Sequence, residues 1–243
     1  MKDLFSAQSE LYQQARPTYP QSLIDSLIQQ LKGFDRAWDC GAGSGQLTRL
    51  IAPYFQQVIA TDLSQNQLDQ APALSNVSYL QQAAEQCTFP DQYFDLITVA
   101  QAIHWFDFEK FYAQVKRTLK ADGLFAVIGY GLLTLENAFL NDRLQQLYHQ
   151  TLNGFWDAER RYIDEQYQSI PFPFQEIAMP QFRIELHWTG QQLWDYLQTW
   201  SAVQHYQDHM RVSALADLQD ILLIRQPMRV TFPLLLRVGR QRT

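Results

Sequence analysis

The stretch Asp35-Arg36-Ala37-Trp38-Asp39-Cys40-Gly41-Ala42-Gly43-Ser44-Gly45, running on into Gln46-Leu47-Thr48-Arg49-Leu50-Ile51, reads as a short buried strand, a glycine-rich turn and the opening of a helix. That succession is the first βα unit of a nucleotide-binding sheet. Glycine reaches positive φ without strain and lets a backbone approach a ligand closely. Beyond the turn, the helix start offers unpaired N–H groups at the positive end of its dipole.

The spacing within the turn separates two kinds of ligand. A dinucleotide fingerprint, G-x-G-x-x-G, would need glycine at 46, where the chain has Gln46. The pattern present is Asp39-x-Gly41-x-Gly43-x-Gly45. An acid beside the turn repels a pyrophosphate and attracts an ammonium. A second acid, Asp62, follows the run Val58-Ile59-Ala60-Thr61, which reads as the second strand. A carboxylate there can accept hydrogen bonds from both hydroxyls of a ribose. An ammonium at one end and a ribose at the other describe S-adenosylmethionine. The plainer alternative is an ordinary glycine-rich βα turn with Asp62 as a helix cap.

Composition narrows the classes. At 243 residues, 47% of them hydrophobic and 18% charged, the chain can bury the core of one α/β domain and lacks the makeup of a disordered segment. Its formal net charge of -6, with only a sparse basic tail at Arg237, Arg240 and Arg242, argues against a nucleic-acid backbone as partner. Cys40 and Cys87 make neither a disulfide framework nor a metal cluster, and no metal is expected. The opening Met1-Lys2-Asp3-Leu4-Phe5-Ser6 lacks the apolar segment of a signal peptide, and no apolar run is long enough to span a bilayer. The expectations are a cytoplasmic protein with no membrane partner, present as a monomer or weak homodimer.

Along the chain, Arg16-Pro17-Thr18-Tyr19-Pro20 takes an extended, stiff path, and a helix with Leu23, Ile24, Leu27, Ile28 and Leu31 on one face follows. Strands are expected near 57–61, 77–80, 94–100 and 124–128, with helices near 64–70 and 108–119 between them. Regular alternation of strand and helix argues a parallel, doubly wound sheet. After Gly131 the rhythm breaks: residues 132–178 read as a largely helical insertion or lid, with Ile170-Pro171-Phe172-Pro173-Phe174 as an irregular piece. A strand at 181–189, a Trp-rich helix from Gly190, another helix near 213–224 and a last strand at 228–238, interrupted by Pro233, complete the chain. The expected division is an arm and helix (1–34), a cofactor-binding core (35–131), the insertion (132–178) and the remainder of the sheet (179–243), all in one domain.

Five stretches together carry a family resemblance. They are Tyr12…Arg16-Pro17-x-Tyr19-Pro20, the Asp39-to-Gly45 turn, Ala84-Glu85…Phe89-Pro90-Asp91, Gln101-Ala102-Ile103-His104-Trp105-Phe106, and Thr199-Trp200-Ser201-Ala202. With them the chain resembles the class I S-adenosylmethionine-dependent methyltransferases, and within them the small-molecule branch that includes trans-aconitate methyltransferase-like proteins. The resemblance implies a Rossmann-like, doubly wound, seven-stranded sheet, mostly parallel with an antiparallel last strand, and a helical insertion after the fifth strand. It implies that Asp39 and the loop Gly41, Gly43, Gly45 hold the methionine end of the cofactor. Asp62 and Leu63 would serve the ribose side, Ala84 and Glu85 the adenine, and Gln101 the floor beneath the sulfonium. The position before Ala84, an Asp in many relatives, is Ala83 here. Tyr12 and Arg16 would close over the cofactor, Arg16 near its carboxylate.

His104 is placed at a strand's C-terminal edge, where open α/β sheets bind ligands. It reads either as a general base or, with Trp105 and Phe106, as part of a packing and pocket-lining cluster; the acceptor pocket is expected between Trp105, the Trp200 segment and the 132–178 insertion. A carboxylate acceptor needs no base and calls instead for a cation. Arg160, Arg161 and His205 are candidates, each also readable as a solvated surface residue. The expected activity is methylation of a small molecule, a carboxylate by preference. A hydroxyl or amine acceptor with His104 as base, a silent S-adenosylmethionine-binding protein and an NAD-type oxidoreductase are the competing readings.

Overall fold

The computed structural model describes residues 16–242. Five parallel strands form its centre: β1 (Arg36–Cys40), β2 (Gln57–Asp62), β3 (Val77–Gln81), β4 (Phe94–Ala100) and β5 (Leu119–Tyr130), in the spatial order 3-2-1-4-5. The order reverses between β1 and β4, which opens a crevice at the C-terminal ends of those two strands. Alternate residues go to opposite faces, as a strand covered on both sides requires. Ala37, Val58, Leu96 and Ala126 enter one apolar cluster; Trp38, Ile59, Ile97 and Phe125 enter the other. Trp38 is fully buried, and its indole N–H donates to Thr61 Oγ1 at 2.8 Å. The innermost large ring is therefore fixed in register with β2.

Helices cover both faces. On one side α1 (Gln21–Gln29) buries Leu23, Ile24 and Leu27. After β1 comes the single turn α2 (Thr48–Ile51), which tightens into a 3-10 turn at Ala52–Tyr54 around Pro53, a residue that cannot donate to a longer helix. The short α3 (Gln65–Leu68) is capped by Ser64, whose hydroxyl accepts from Gln67 N–H. On the opposite face α4 (Phe108–Thr118), capped by Asp107, buries Phe111, Tyr112 and Val115.

The last part of the sheet departs in detail from the expected seven strands. Nine strand segments occur among the described residues, adding the two-residue β6 (Thr134–Leu135) and β7 (Gln175–Glu176) to β8 (Arg183–Trp188) and β9 (Met228–Arg240). Their registers explain the excess. Tyr130 pairs with Leu234 and Thr134 with Thr231, so β6 continues the line of β5 after a break at 131–133. Glu176 pairs with Gly239 and Arg183 with Pro233, so β7 lies in line with β8. Seven rows result, with β9 antiparallel to both neighbours. Pro233 does not interrupt β9. Leu234 N–H donates to Phe182 on the β8 side, and the carbonyl of Pro233 accepts from Gly131 on the other, so its missing donor falls opposite the break between β5 and β6.

The segment from 136 to 174 holds α5 (Ala138–Gln146), a π-turn at Leu147–Thr151 and the short α6 (Arg161–Asp164). The proline-flanked phenylalanines lie on the sheet: Phe172 and Phe174 pack against Phe125 at 5.7 and 4.9 Å between ring centres. Beyond β8, α7 (Gly190–Gln198) opens with a reciprocal Thr189/Gln192 capping box, and α8 (Ser201–Met210) ends at Arg211 in the left-handed conformation. The helix expected near 213–224 is a 3-10 segment at Ala216–Leu223. Among the described residues no helix is long and apolar enough to cross a membrane.

One contact joins the insertion to the sheet beneath the site. The fully buried ring of Tyr167 lies against Gly129 of β5, where an added Cβ would come within 2.6 Å of it. Gly129→Ala should therefore destabilise the fold by about 1–3 kcal/mol, as overpacking does. Chemical denaturation checks it, and adding Tyr167→Leu to the alanine variant should restore part of the loss.

Candidate active site

A cleft of about 940 Å³, counting the open space at its mouth, lies over the C-terminal ends of β1, β2 and β4. The glycine turn forms its floor on the β1 side. Gly41 and Ala42 both donate backbone N–H groups to the carbonyl of Thr61, at 2.8 and 2.9 Å, hooking the turn to the end of β2. Gly41 has φ +70°, and a Cβ there would lie 2.5 Å from that of Ala102, so no side chain fits between the ends of β1 and β4. Asp62 completes the hook: Oδ2 accepts from Gly43 N–H and Oδ1 from Ser64 N–H, each at 2.9 Å.

Asp39 is fully buried and lines the same cleft. Thr48 Oγ1 donates to one carboxylate oxygen at 2.6 Å and Thr98 Oγ1 to the other at 2.9 Å. Burial pushes its pKa up to about 6; the two threonine hydroxyls oppose that shift and the charge of Asp62 adds to it. A carboxylate kept from water beside a cleft favours a cation arriving there.

Gln101 follows β4 with φ +54°, a left-handed conformation that costs a non-glycine residue roughly 1–2 kcal/mol. Two carbonyls of β5 hold it there: its N–H donates to Ile128 at 2.9 Å and its Nε2 to Tyr130 at 3.1 Å. Arg16 crosses above, with Nη1 donating to the Tyr130 hydroxyl at 3.1 Å and Nη2 to the Thr199 carbonyl at 3.5 Å.

A second cavity of about 560 Å³, again counting the open space at its mouth, adjoins the first, and Arg16, Gln101 and Trp105 line both. Its other walls include His104, Trp156, Arg160 and Trp200. The rings of Trp156 and Trp200 are 5.4 Å apart, and Tyr148 packs against each. His104 is buried, with the Tyr167 hydroxyl 3.5 Å from Nδ1. Burial, and then the charge of Arg160, lower its pKa to about 3, so the imidazole is neutral at physiological pH.

Residues 38–127 match the methyltransferase-domain family. Over 228 residues the chain is 34% identical to a provisionally named methyltransferase of Dictyostelium discoideum, covering 91% of this chain and 85% of that one. The chain belongs to the class I S-adenosylmethionine-dependent methyltransferases. The solved structure of a provisionally named type II methyltransferase from Anaeromyxobacter dehalogenans is similar throughout. Its TM-score is 0.85 at 34% identity, with 93% of this chain and 97% of that chain covered. The YcgJ protein of Bacillus subtilis, 21% identical with a TM-score of 0.55 over 92% of this chain and 98% of its own, shares the fold. Methyltransferases of this class use S-adenosylmethionine, and the cleft fits it: a cation-seeking buried acid, a glycine floor free of side chains and a second acid at the end of β2 converge on one space.

Of the residues singled out from the sequence, Arg16, Asp39, Gly41, Gly43, Asp62, Leu63, Gln101 and Trp105 line the cleft, and His104, Trp105 and Trp200 line the second cavity. Gly45, Ala84 and Glu85 are not in either lining. Gly45 (φ +75°) backs onto Tyr79, Ala71 and Pro72, Ala84 is buried in the core, and Glu85 Oε1 accepts the N–H of Asp107 at the start of α4. Tyr12 lies outside the described residues. Of the three cations considered, Arg160 reaches the cavity, whereas Arg161 lies over the ring of Tyr162 and His205 Nδ1 is 2.9 Å from the Phe155 carbonyl. The sequence does not single out Trp156 and Asp157 individually, although they lie in the 132–178 insertion expected to wall the acceptor pocket, and Ser201 stands beside Trp200 in the Thr199–Ala202 stretch. The dense run Phe155-Trp156-Asp157-Ala158-Glu159-Arg160 inside the insertion was the available signal.

Because Asp39 has a folded pKa near 6 against 3.8 in the unfolded chain, its ionisation opposes folding. The part of the stability linked to Asp39 is whole below about pH 4 and is lost as pH rises through 6, by on the order of 3 kcal/mol. Asp39→Asn should raise the melting temperature above pH 6, with the gain fading as pH falls toward 4; melting curves across that range are the check.

Proposed function

We propose that this methyltransferase acts on a small organic acid held in the second cavity, forming a methyl ester on its carboxylate. The observation that carries the acceptor reading is the state of His104. It is the histidine of that cavity, yet it is buried, stands beside the cationic Arg160 and has a pKa near 3. Protonating it at neutral pH is opposed by several kcal/mol. An acceptor that arrives already deprotonated has no use for such a base, and a carboxylate is that acceptor. The aromatic walls and small volume of the cavity support a small molecule over a macromolecule.

Bound in the cleft, S-adenosylmethionine supplies an electrophilic methyl group on its sulfonium. The chain's residues supply its placement. Asp39 would hold the ammonium, which would relieve the penalty of its own buried charge. Asp62, already fixed by Gly43 and Ser64, would accept from the ribose beside Leu63. Arg16 would hold the carboxylate of the methionine end, to which a guanidinium is suited. Gln101 and Trp105, common to both spaces, would position donor and acceptor and exclude water. Positioning of this kind can lower a barrier by about 7–11 kcal/mol.

Incubation with labelled S-adenosylmethionine and a metabolite extract should give a product that releases methanol in mild alkali, as an ester does. His104→Gln should change turnover by less than about tenfold, since removing a true general base costs roughly 10²–10⁴-fold. A base-stable product together with a thousandfold loss in that variant would reverse the assignment, making the acceptor a hydroxyl or amine and His104 its base.

A further inference from the structure

We infer that Arg160 is the anchor of the acceptor, a guanidinium fork that takes a carboxylate through its two Nη groups within the second cavity. The inference rests on the carboxylate reading above and adds the residue that selects for it. Arg160 is held from behind. Its Nε donates to the Tyr148 hydroxyl at 2.8 Å and lies 3.6 Å from Asp164 Oδ1, the same oxygen to which Tyr148 donates. Its Cζ stands 5.3 Å from the ring centre of Tyr148 and 4.9 Å from that of Trp156. Two aromatic faces and an Nε tether fix the plane of the group, so a ligand would not have to order it.

The remaining donors of Arg160 are the ones a ligand can engage. The side chain is 20% exposed, yet among the described residues neither Nη atom has a hydrogen-bond partner. Two other half-buried arginines, Arg117 and Arg237, differ. Arg117 directs its Nη groups to the carbonyls of Phe89 and Cys87 and to Asp91 and Gln114. Arg237 directs its own to Tyr167, Ile170 and Glu176. A preoriented fork that opens on a cavity and leaves its paired donors unengaged matches the bidentate geometry of a carboxylate. Asp157, the acid in the same lining, accepts from Ser201 Oγ at 2.8 Å, which gives it a partner on its own side. Trp105, Trp156 and Trp200 supply apolar wall for the body of the acid.

The test uses the full chain loaded with S-adenosylhomocysteine and two probes of one shape, phenylacetate and its neutral amide phenylacetamide, titrated by calorimetry. The wild type should bind the acid more tightly than the amide. Arg160→Gln should weaken phenylacetate by roughly tenfold or more, the loss expected for hydrogen bonds to a charged group. Binding of phenylacetamide and of S-adenosylhomocysteine should stay within about twofold. Arg160→Lys, which keeps the charge without the fork, should fall between, and melting curves identify any variant that fails to fold. Equal losses for acid and amide would mean that Arg160 only shapes the cavity and would overturn the inference. So would a wild type that does not prefer the acid, or that binds neither probe. A base-stable methylation product would instead remove the ester reading alone, since the acid-to-amide comparison judges the anchor separately.

Discussion

The carboxylate of Asp39 is the point on which this architecture turns. It sits at the C-terminal end of β1, where the strand order reverses, and it receives one threonine from the helix after the glycine turn and another from β4. Thr48 and Thr98 therefore meet through a buried charge, and the crevice between β1 and β4 takes its dimensions from that bridge. Such a group is held at a penalty, because burial disfavours its ionised form more than two hydroxyls can restore. Regular packing would favour an apolar residue here. The site retains an acid, and a cationic ligand end is what that acid can use.

A second acid acts on the same turn from outside. Asp62 binds the amides of Gly43 and Ser64, so one side chain at the end of β2 sets both the glycine loop and the entry to α3. The left-handed Gln101 supplies the third fixed point, held by carbonyls of β5. The floor of the cleft is thus built from three strands before any ligand enters, which is the preorganisation that placement of a reactive group requires.

Much of this was legible in the sequence, for identifiable reasons. The buried strands announced themselves as apolar runs, and Asp39, Gly41, Gly43 and Asp62 stood at spacings that only a βα turn with a neighbouring strand makes sense of. Gln101 and Trp105 came with the family resemblance carried by the stretch from Gln101 to Phe106. Legibility failed where tertiary pairing decides. Pro233 reads as an interruption because sequence cannot reveal that its missing donor faces a break in the adjoining row. The two-residue β6 and β7 carry no periodicity to detect. Arg160 and Arg161 are adjacent and chemically alike, yet one enters the cavity and the other rests on the half-buried ring of Tyr162. Only the turn at 158–160 distinguishes them. Glu85 is the converse case, a plausible ligand contact by position that instead caps the approach to α4.

The two-residue strands β6 and β7 clip the insertion to β9 at both ends, one on each side of it. Trp156, Asp157, Arg160 and Ile163, which line the second cavity, all arise between those clips. Replacements there alter the chemistry of that wall while the backbone pairing on either side, and the strands beneath the first cleft, keep their register. The molecule is in this sense divided into a conservative floor and an exchangeable wall. On the proposed function, divergence of acceptor preference among descendants of such a chain has a ready route: drift within one loop-bounded cassette, with the residues of the first cleft left untouched.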